Sequence, residues 1–176
     1  MLKHILLLGD PRLKTVSEPI KDFTNELYLI HKAKLLRTFE STKPKYPHCK
    51  ALSAPQIGIN KRMTAITISK KDFILINPEV IKKNDEKTEI WEECMSFPDI
   101  VVKIQRYKSI KLRYYDAKGN VNEWDNIEKP YSSIIQHEID HLNGILAIDR
   151  AADANSIVYR NIYESNKSYF DNLLKN

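Results

Sequence analysis

The spacing of apolar residues changes along this chain, and each change predicts an element. From Phe23 to about Phe39, the residues Leu27, Ile30, Lys34 and Leu35 fall near helical spacing, with Thr24 or Asn25 available as N-cap, which predicts a helix. Two prolines, three lysines, a histidine and a cysteine follow between Ser41 and Lys50, a composition that predicts a loop. From Met63 to Leu112 the apolar runs are short and often β-branched, as in Thr64 to Ile68 and Ile100 to Val102, and breaks carrying charge or proline separate them. That middle reads as strands. The Asp116 to Asn120 turn, between a partly alternating run from Tyr107 to Tyr115 and Val121 to Trp124, predicts a hairpin. Two helices are expected at the end. The first runs from about Ser132 to Asn143, entered after Pro130 with Ser132 as cap and left at Gly144; the second runs from about Ala154 to Leu174, with Ile157, Ile162, Tyr169 and Leu173 as a broken apolar stripe. Strands grouped between helices, without β-α-β alternation, predict an α+β fold.

A length of 176 residues suits one domain, 1–176, and no fixed-period repeat argues for a solenoid. No apolar run approaches the roughly 20 residues needed to cross a bilayer. The run nearest the start, Ile5 to Leu8, is cut off by Gly9-Asp10, so neither a membrane span nor a signal-peptide core is expected. Only two cysteines, Cys49 and Cys94, occur, which favours a reducing, cytoplasmic setting over a disulfide framework. The net charge of +5 comes from 28 basic and 23 acidic residues, and 21 of the basic ones are lysines scattered over the whole length. Dispersed lysine describes a solvated surface rather than a DNA footprint; a weak attraction to RNA or the ribosome stays open. Arg160, Lys167 and Lys175 balance Asp153, Glu164 and Asp171 in the last helix, which gives no sign of a dedicated ribosome-binding tail.

Candidate chemistry centres on Gln136-His137-Glu138-Ile139-Asp140-His141. Histidines four apart stand one above the other on a helix, so both imidazoles can reach one cation while Glu138 lies beside them to take a proton from water. Alone, this H-E-x-x-H pattern also fits two surface histidines and a glutamate. A catalytic site needs a third protein ligand and one open position. Cys94, at the end of the strand-like Trp91 to Glu93 run, is a candidate, although an isolated buried cysteine is also a common small hydrophobe. The segment Ala51 to Gly58 offers small residues, a proline-fixed backbone and the amide of Gln56 for a developing oxyanion; an ordinary turn fits it equally.

Together the three segments resemble the peptide deformylase family, whose motifs read G-x-G-L-A-A-P-Q, E-G-C-L-S and Q-H-E-x-D-H-L-x-G. Here they stand, in that order, as Cys49 to Gln56, Glu92 to Ser96 and Gln136 to Gly144, and the third match is complete. The resemblance reaches outward through Asp10 to Leu13 and the Lys108 to Gly119 hairpin, up to about Asp149. It implies mixed, mainly antiparallel sheets packed around a central metal-binding helix, with a C-terminal helix. It also implies Cys94, His137 and His141 as ligands of one divalent metal ion, Fe2+ by resemblance with Zn2+, Ni2+ or Co2+ also accepted by such a set, and Glu138 as general base and acid. Gln56 and the Met95 N–H would hold the formyl oxygen, and Asp140 with Arg106 would form an ion pair bracing the helix. The implied activity is removal of the N-formyl group from the initiator methionine of new polypeptides. Substrate would pair with backbone near Ala51 and Glu93, and Leu52, Ile134 and Ile135 are the candidate walls of a methionine pocket.

The first two motifs depart from the pattern. Cys49, Ala51 and Ser53 replace Gly, Gly and Ala, and Glu93 replaces the Gly before the cysteine. A positive φ at Glu93 would strain it, whereas a negative φ would set an acidic side chain near the cleft mouth. The loop before the first motif is several residues longer than usual and brings Lys43, Lys45 and Lys50 toward the entrance. These departures leave open a metallohydrolase acting on another N-acyl or N-formyl substrate and an inactive binding homologue. A zinc endopeptidase is disfavoured, since it has no use for Cys94 or the Gln56 segment.

Overall fold

The computed structural model describes residues 4–174, so Lys175 of the last predicted helix lies outside the described residues. The first helix, α1, spans Glu26–Thr42, and the side chain of Asn25 accepts from the Leu27 and Tyr28 N–H groups. A cap of this kind is worth about 1 kcal/mol. Tyr28, Leu35, Phe39 and Thr42 form the buried face, whereas Leu27 and Ile30 are exposed. The inward stripe is thus rotated from the predicted one, because the aromatic positions set it.

Among the described residues, eight strands form two sheets. The larger has the order β1 (Ala51–Ser53), β2 (Met63–Ile68), β3 (Lys71–Lys83), β6 (Ile110–Tyr115) and β7 (Val121–Ile127); the smaller has the order β4 (Lys87–Glu93), β5 (Ile100–Tyr107) and β8 (Ile157–Tyr159). Every strand pairing is antiparallel. The predicted hairpin is β6–β7, turned through Asp116, whose carboxylate accepts from the Lys118 and Asn120 N–H groups. β4 is an edge strand: one side pairs with β5 from Lys87↔Tyr107 to Glu93↔Val101, and the other side pairs with no strand among the described residues. No helix is long and apolar enough to cross a membrane among the described residues.

The helix carrying the histidines, α2, spans Tyr131–Leu142 and lies against β1, β2, β3 and β5. Ser132, expected as its cap, makes no capping bond; Pro130 holds that position and Ser132 is buried, donating to the Tyr107 and Lys108 carbonyls at 3.0 Å each. Gln136 accepts from the Tyr107 N–H at 3.1 Å and donates to its carbonyl at 3.0 Å. These bonds clip α2 to the end of β5 and fix its rotation. The helix stops at Gly144, where φ is +71° and a Cβ would lie 2.5 Å from the Lys14 carbonyl oxygen, so only glycine fits.

The long C-terminal helix is broken. Ile157–Tyr159 form β8 on the edge of β5, and the helical residues that follow divide into α3 (Arg160–Ser165) and α4 (Lys167–Asp171). An Ile-Val-Tyr run has β propensity, and the open edge of β5 supplies the ladder that realises it.

Candidate active site

Helix α2, the 3-10 turn Ala54–Ile57 that follows β1, and the turn leaving β4 converge on one buried spot. Cys94 Sγ lies 3.2 Å from His141 Nε2, His141 Nε2 lies 3.2 Å from His137 Nε2, and the three ligand atoms all fall within 4.8 Å of one another. Ligand bonds of about 2.0–2.3 Å put neighbouring ligands of a tetrahedral ion roughly 3.5 Å apart. The trio therefore fits one ion. Sulfur and imidazole nitrogen are donors that Zn, Fe, Co and Ni all accept. His137 keeps 11% of its side chain exposed toward the cleft, while Cys94 and His141 are buried.

Each donor is held from behind. Glu92 Oε2 binds His137 Nδ1 at 2.7 Å and so turns Nε2 toward the cysteine. Both Glu92 oxygens accept from Arg106, at 2.7 and 2.9 Å, and Arg106 Nη1 donates to Asp140 at 2.5 Å. Arg150 closes the chain on the other side of Asp140, with two bonds of 2.5 Å. The expected Arg106–Asp140 pair is thus part of a larger network. Burial alone would push the Glu92 carboxyl up, yet the charges of His137 and Arg106 hold it down at about 2. Removing Arg106 would leave Asp140 to Arg150 and Glu92 to His137 alone, and breaking a buried pair of this kind typically costs about 3–5 kcal/mol.

Glu138 lies one residue beyond His137, only 5% exposed. Ser53 Oγ donates to Glu138 Oε2 at 2.6 Å, and Thr64 Oγ1, 2.8 Å away, supplies the next hydroxyl in line. Burial raises the Glu138 pKa above its ordinary value, partly opposed by His137 and by the Ser53 bond. Such a carboxylate can both accept a proton and return it. The Gln56 amide is fixed by its own turn: Oε1 accepts from the Ser53 N–H at 2.9 Å, which leaves Nε2 facing Ser96 Oγ at 3.2 Å and Cys94 Sγ at 3.6 Å. The Met95 N–H has no protein acceptor among the described residues. Both donors border a cleft of about 330 Å3.

Ala51, Gln56, Glu93, Cys94, Met95, Ile134, His137 and Glu138 all line that cleft. Leu52 and Ile135 do not. Leu52 is fully buried beside Ile76 and Phe39, and Ile135 is buried with Ile66 and Leu112, so both are core residues and the expectation of pocket walls is corrected for them. Alternation along β1 explains the first case, because Ala51 and Leu52 face opposite sides. Glu93 has no positive φ, so backbone strain is absent; its carboxylate is paired with Arg160 Nη1 at 2.7 Å. Cys49 also borders the cleft, where burial pushes its thiol up to about 12, with Cys94, Glu93 and Glu138 adding to the effect. It is an unreactive wall rather than a nucleophile. Ser53, Glu92 and Arg160 carry no role that is visible in the sequence, because their partners Glu138, His137 and Glu93 lie far along the chain.

The family model described as polypeptide deformylase matches residues 2–156. A peptide deformylase of Thermotoga petrophila is 37% identical over 158 residues, covering 89% of this chain and 92% of the relative. One from Brachyspira hyodysenteriae is 39% identical, covering 85% of this chain and 81% of the relative. The crystal structure of peptide deformylase from Thermotoga maritima superposes with a TM-score of 0.76 at 32% identity, over 87% of this chain and 99% of that one. A peptide deformylase from Synechococcus elongatus in complex with actinonin gives 0.78 at 27% identity, over 88% of this chain and 81% of that one.

Proposed function

Since this chain belongs to the polypeptide deformylase family, we propose that it hydrolyses the N-formyl group from the N-terminal methionine of newly made polypeptides, releasing formate. The observation that carries this reading is the meeting of Cys94, His137 and His141 beside a buried, hydroxyl-anchored Glu138.

Cys94, His137 and His141 would hold one divalent ion, Fe2+ by family resemblance. Bound there, such an ion lowers the pKa of water and draws charge from a carbonyl oxygen. Glu138 takes the proton of the attacking water as the new C–O bond forms. Gln56 Nε2 and the Met95 N–H donate to the formyl oxygen as it gains charge, each such donor being worth about 3 kcal/mol of barrier. Glu138 then delivers its proton to the departing amine, the C–N bond breaks, and the peptide leaves with a free methionine amino group. Ile134 and Ala51 border the methionine side chain, and the free edge of β4 offers backbone groups to an extended peptide. Newly made chains place the protein where translation occurs, in the cytoplasm, and its dispersed lysines supply at most a weak ribosome contact.

The test is direct. Anaerobically purified protein loaded with Fe(II), Zn(II) or Ni(II) should release formate from formyl-Met-Ala-Ser, and chelation should stop it. Absence of formate from protein with one ion per chain would overturn the reading, and release from formyl or acetyl substrates without methionine would redirect it.

The Ser53 bond gives a second expected result. Because that bond stabilises ionised Glu138, Ser53→Ala should raise the carboxyl pKa and move the acid limb of the kcat/KM profile to higher pH. An acid limb that stays in place or moves down would mean that Ser53 does not tune the base.

A further inference from the structure

The family match ends at residue 156, and the chain beyond it packs against Trp91 and Glu93, two residues that line the cleft. β8 extends the β4–β5 sheet through Ile100↔Tyr159 and Val102↔Ile157. Arg160 follows, its N–H donating to the Asp99 carbonyl at 2.8 Å and its Nε to the Pro98 carbonyl at 2.5 Å. Two anchors thus aim the guanidinium, and Nη1 meets Glu93 at 2.7 Å. Further along, Phe170 and Tyr163 pack on Trp91 at ring distances of 5.4 and 5.6 Å, and Trp91 Nε1 donates to the Phe170 carbonyl at 3.0 Å. Trp91 and Glu93 both line the cleft, on the free-edge strand β4.

We propose that Arg160 is a specificity-determining residue: by neutralising Glu93 at the rim of the groove, it removes a charge preference for the residues that follow the formylated methionine. The proposal rests on the deformylase reading. Where relatives of the motif carry glycine, this chain carries an acidic side chain beside the edge along which a peptide would lie. Unpaired, that carboxylate would favour lysine over aspartate in the passing chain. The three donor bonds of Arg160 hold a countercharge against it, and they come from a segment outside the family pattern. Position 93 and the C-terminal segment therefore act as a unit.

The test compares metal-loaded wild type with Arg160→Gln, Glu93→Gln and the double variant, using C-terminally amidated formyl-Met-Ala-Lys and formyl-Met-Ala-Asp. Arg160→Gln should raise the Lys-to-Asp ratio of kcat/KM by about two- to fivefold, the size expected of a partly exposed pair. Glu93→Gln, which leaves Arg160 uncompensated, should lower the ratio below that of wild type, and the double variant should return it. Calorimetric affinities for the unformylated products Met-Ala-Lys-amide and Met-Ala-Asp-amide should follow the same order. That second measurement separates the two ideas, because lack of formate release would sink the deformylase reading while leaving groove charge measurable. If Arg160→Gln does not fold, Glu93→Gln alone decides the sign. Ratios that stay at the wild-type value in both measurements would overturn the proposal.

Discussion

Replacing Glu138 by alanine is expected to lower formate release about 10²- to 10⁴-fold while the protein keeps one metal ion per chain. The separation follows from geometry. Glu138 is not one of the three converging donors, and its Oε2 is bound to Ser53 instead. Its loss removes the group that accepts and returns the proton but leaves Cys94, His137 and His141, with the Glu92–Arg106–Asp140 support behind them, in place. Turnover and metal content measured on the same sample check this result. Activity within tenfold of wild type would assign the proton transfer to another group, and loss of the metal would make Glu138 part of the ligand set.

Cys94→Ala should have the opposite signature, losing both the ion and the activity. The remaining imidazoles, four residues apart on α2, provide two ligands where three are needed. A weakening of metal affinity by at least about 100-fold is expected, beyond the usual effect of disturbing an outer partner. The sulfur is also the acceptor for the Ser96 N–H at 3.4 Å and faces Gln56 Nε2 at 3.6 Å, so its removal loosens the oxyanion donor as well. Competition with a chromophoric chelator measures the affinity. Cys49→Ala is the matched control and should retain the metal, since Cys49 lies outside the trio. Full metal retention in Cys94→Ala would remove the sulfur from the centre of the mechanism.

The difference between what could be read from sequence and what could not follows interaction range. The H-E-x-x-H face is a property of five consecutive residues, His137 to His141, and helical geometry alone stacks the two imidazoles. Asn25, one of the two candidate caps of α1, and Asp116, which closes the β6–β7 hairpin, are equally local. Ser53 appeared only as a departure from a motif, because the carboxylate it holds lies 85 residues away. Glu92 was a motif letter without a task, since its task is to orient a histidine 45 residues on. Leu52 and Ile135 were apolar residues adjacent to site residues, and sequence adjacency does not say which face of an element a side chain takes. The C-terminal stripe predicts one helix for a similar reason. Only the β5 edge, some 57 residues earlier, draws Ile157–Tyr159 into a strand.

The three segments that supply the donors and their supports, 53–56, 92–96 and 137–141, are far apart along the chain and meet only after both sheets and α2 have assembled. An unfolded chain therefore offers no comparable chelate, and ion binding is thermodynamically linked to folding. Free ion at 100 times its dissociation constant adds about 2.7 kcal/mol to the native state. Starvation for the ion would thus shorten the protein's lifetime as well as silence its chemistry, which makes the folded population itself a gauge of cellular metal supply.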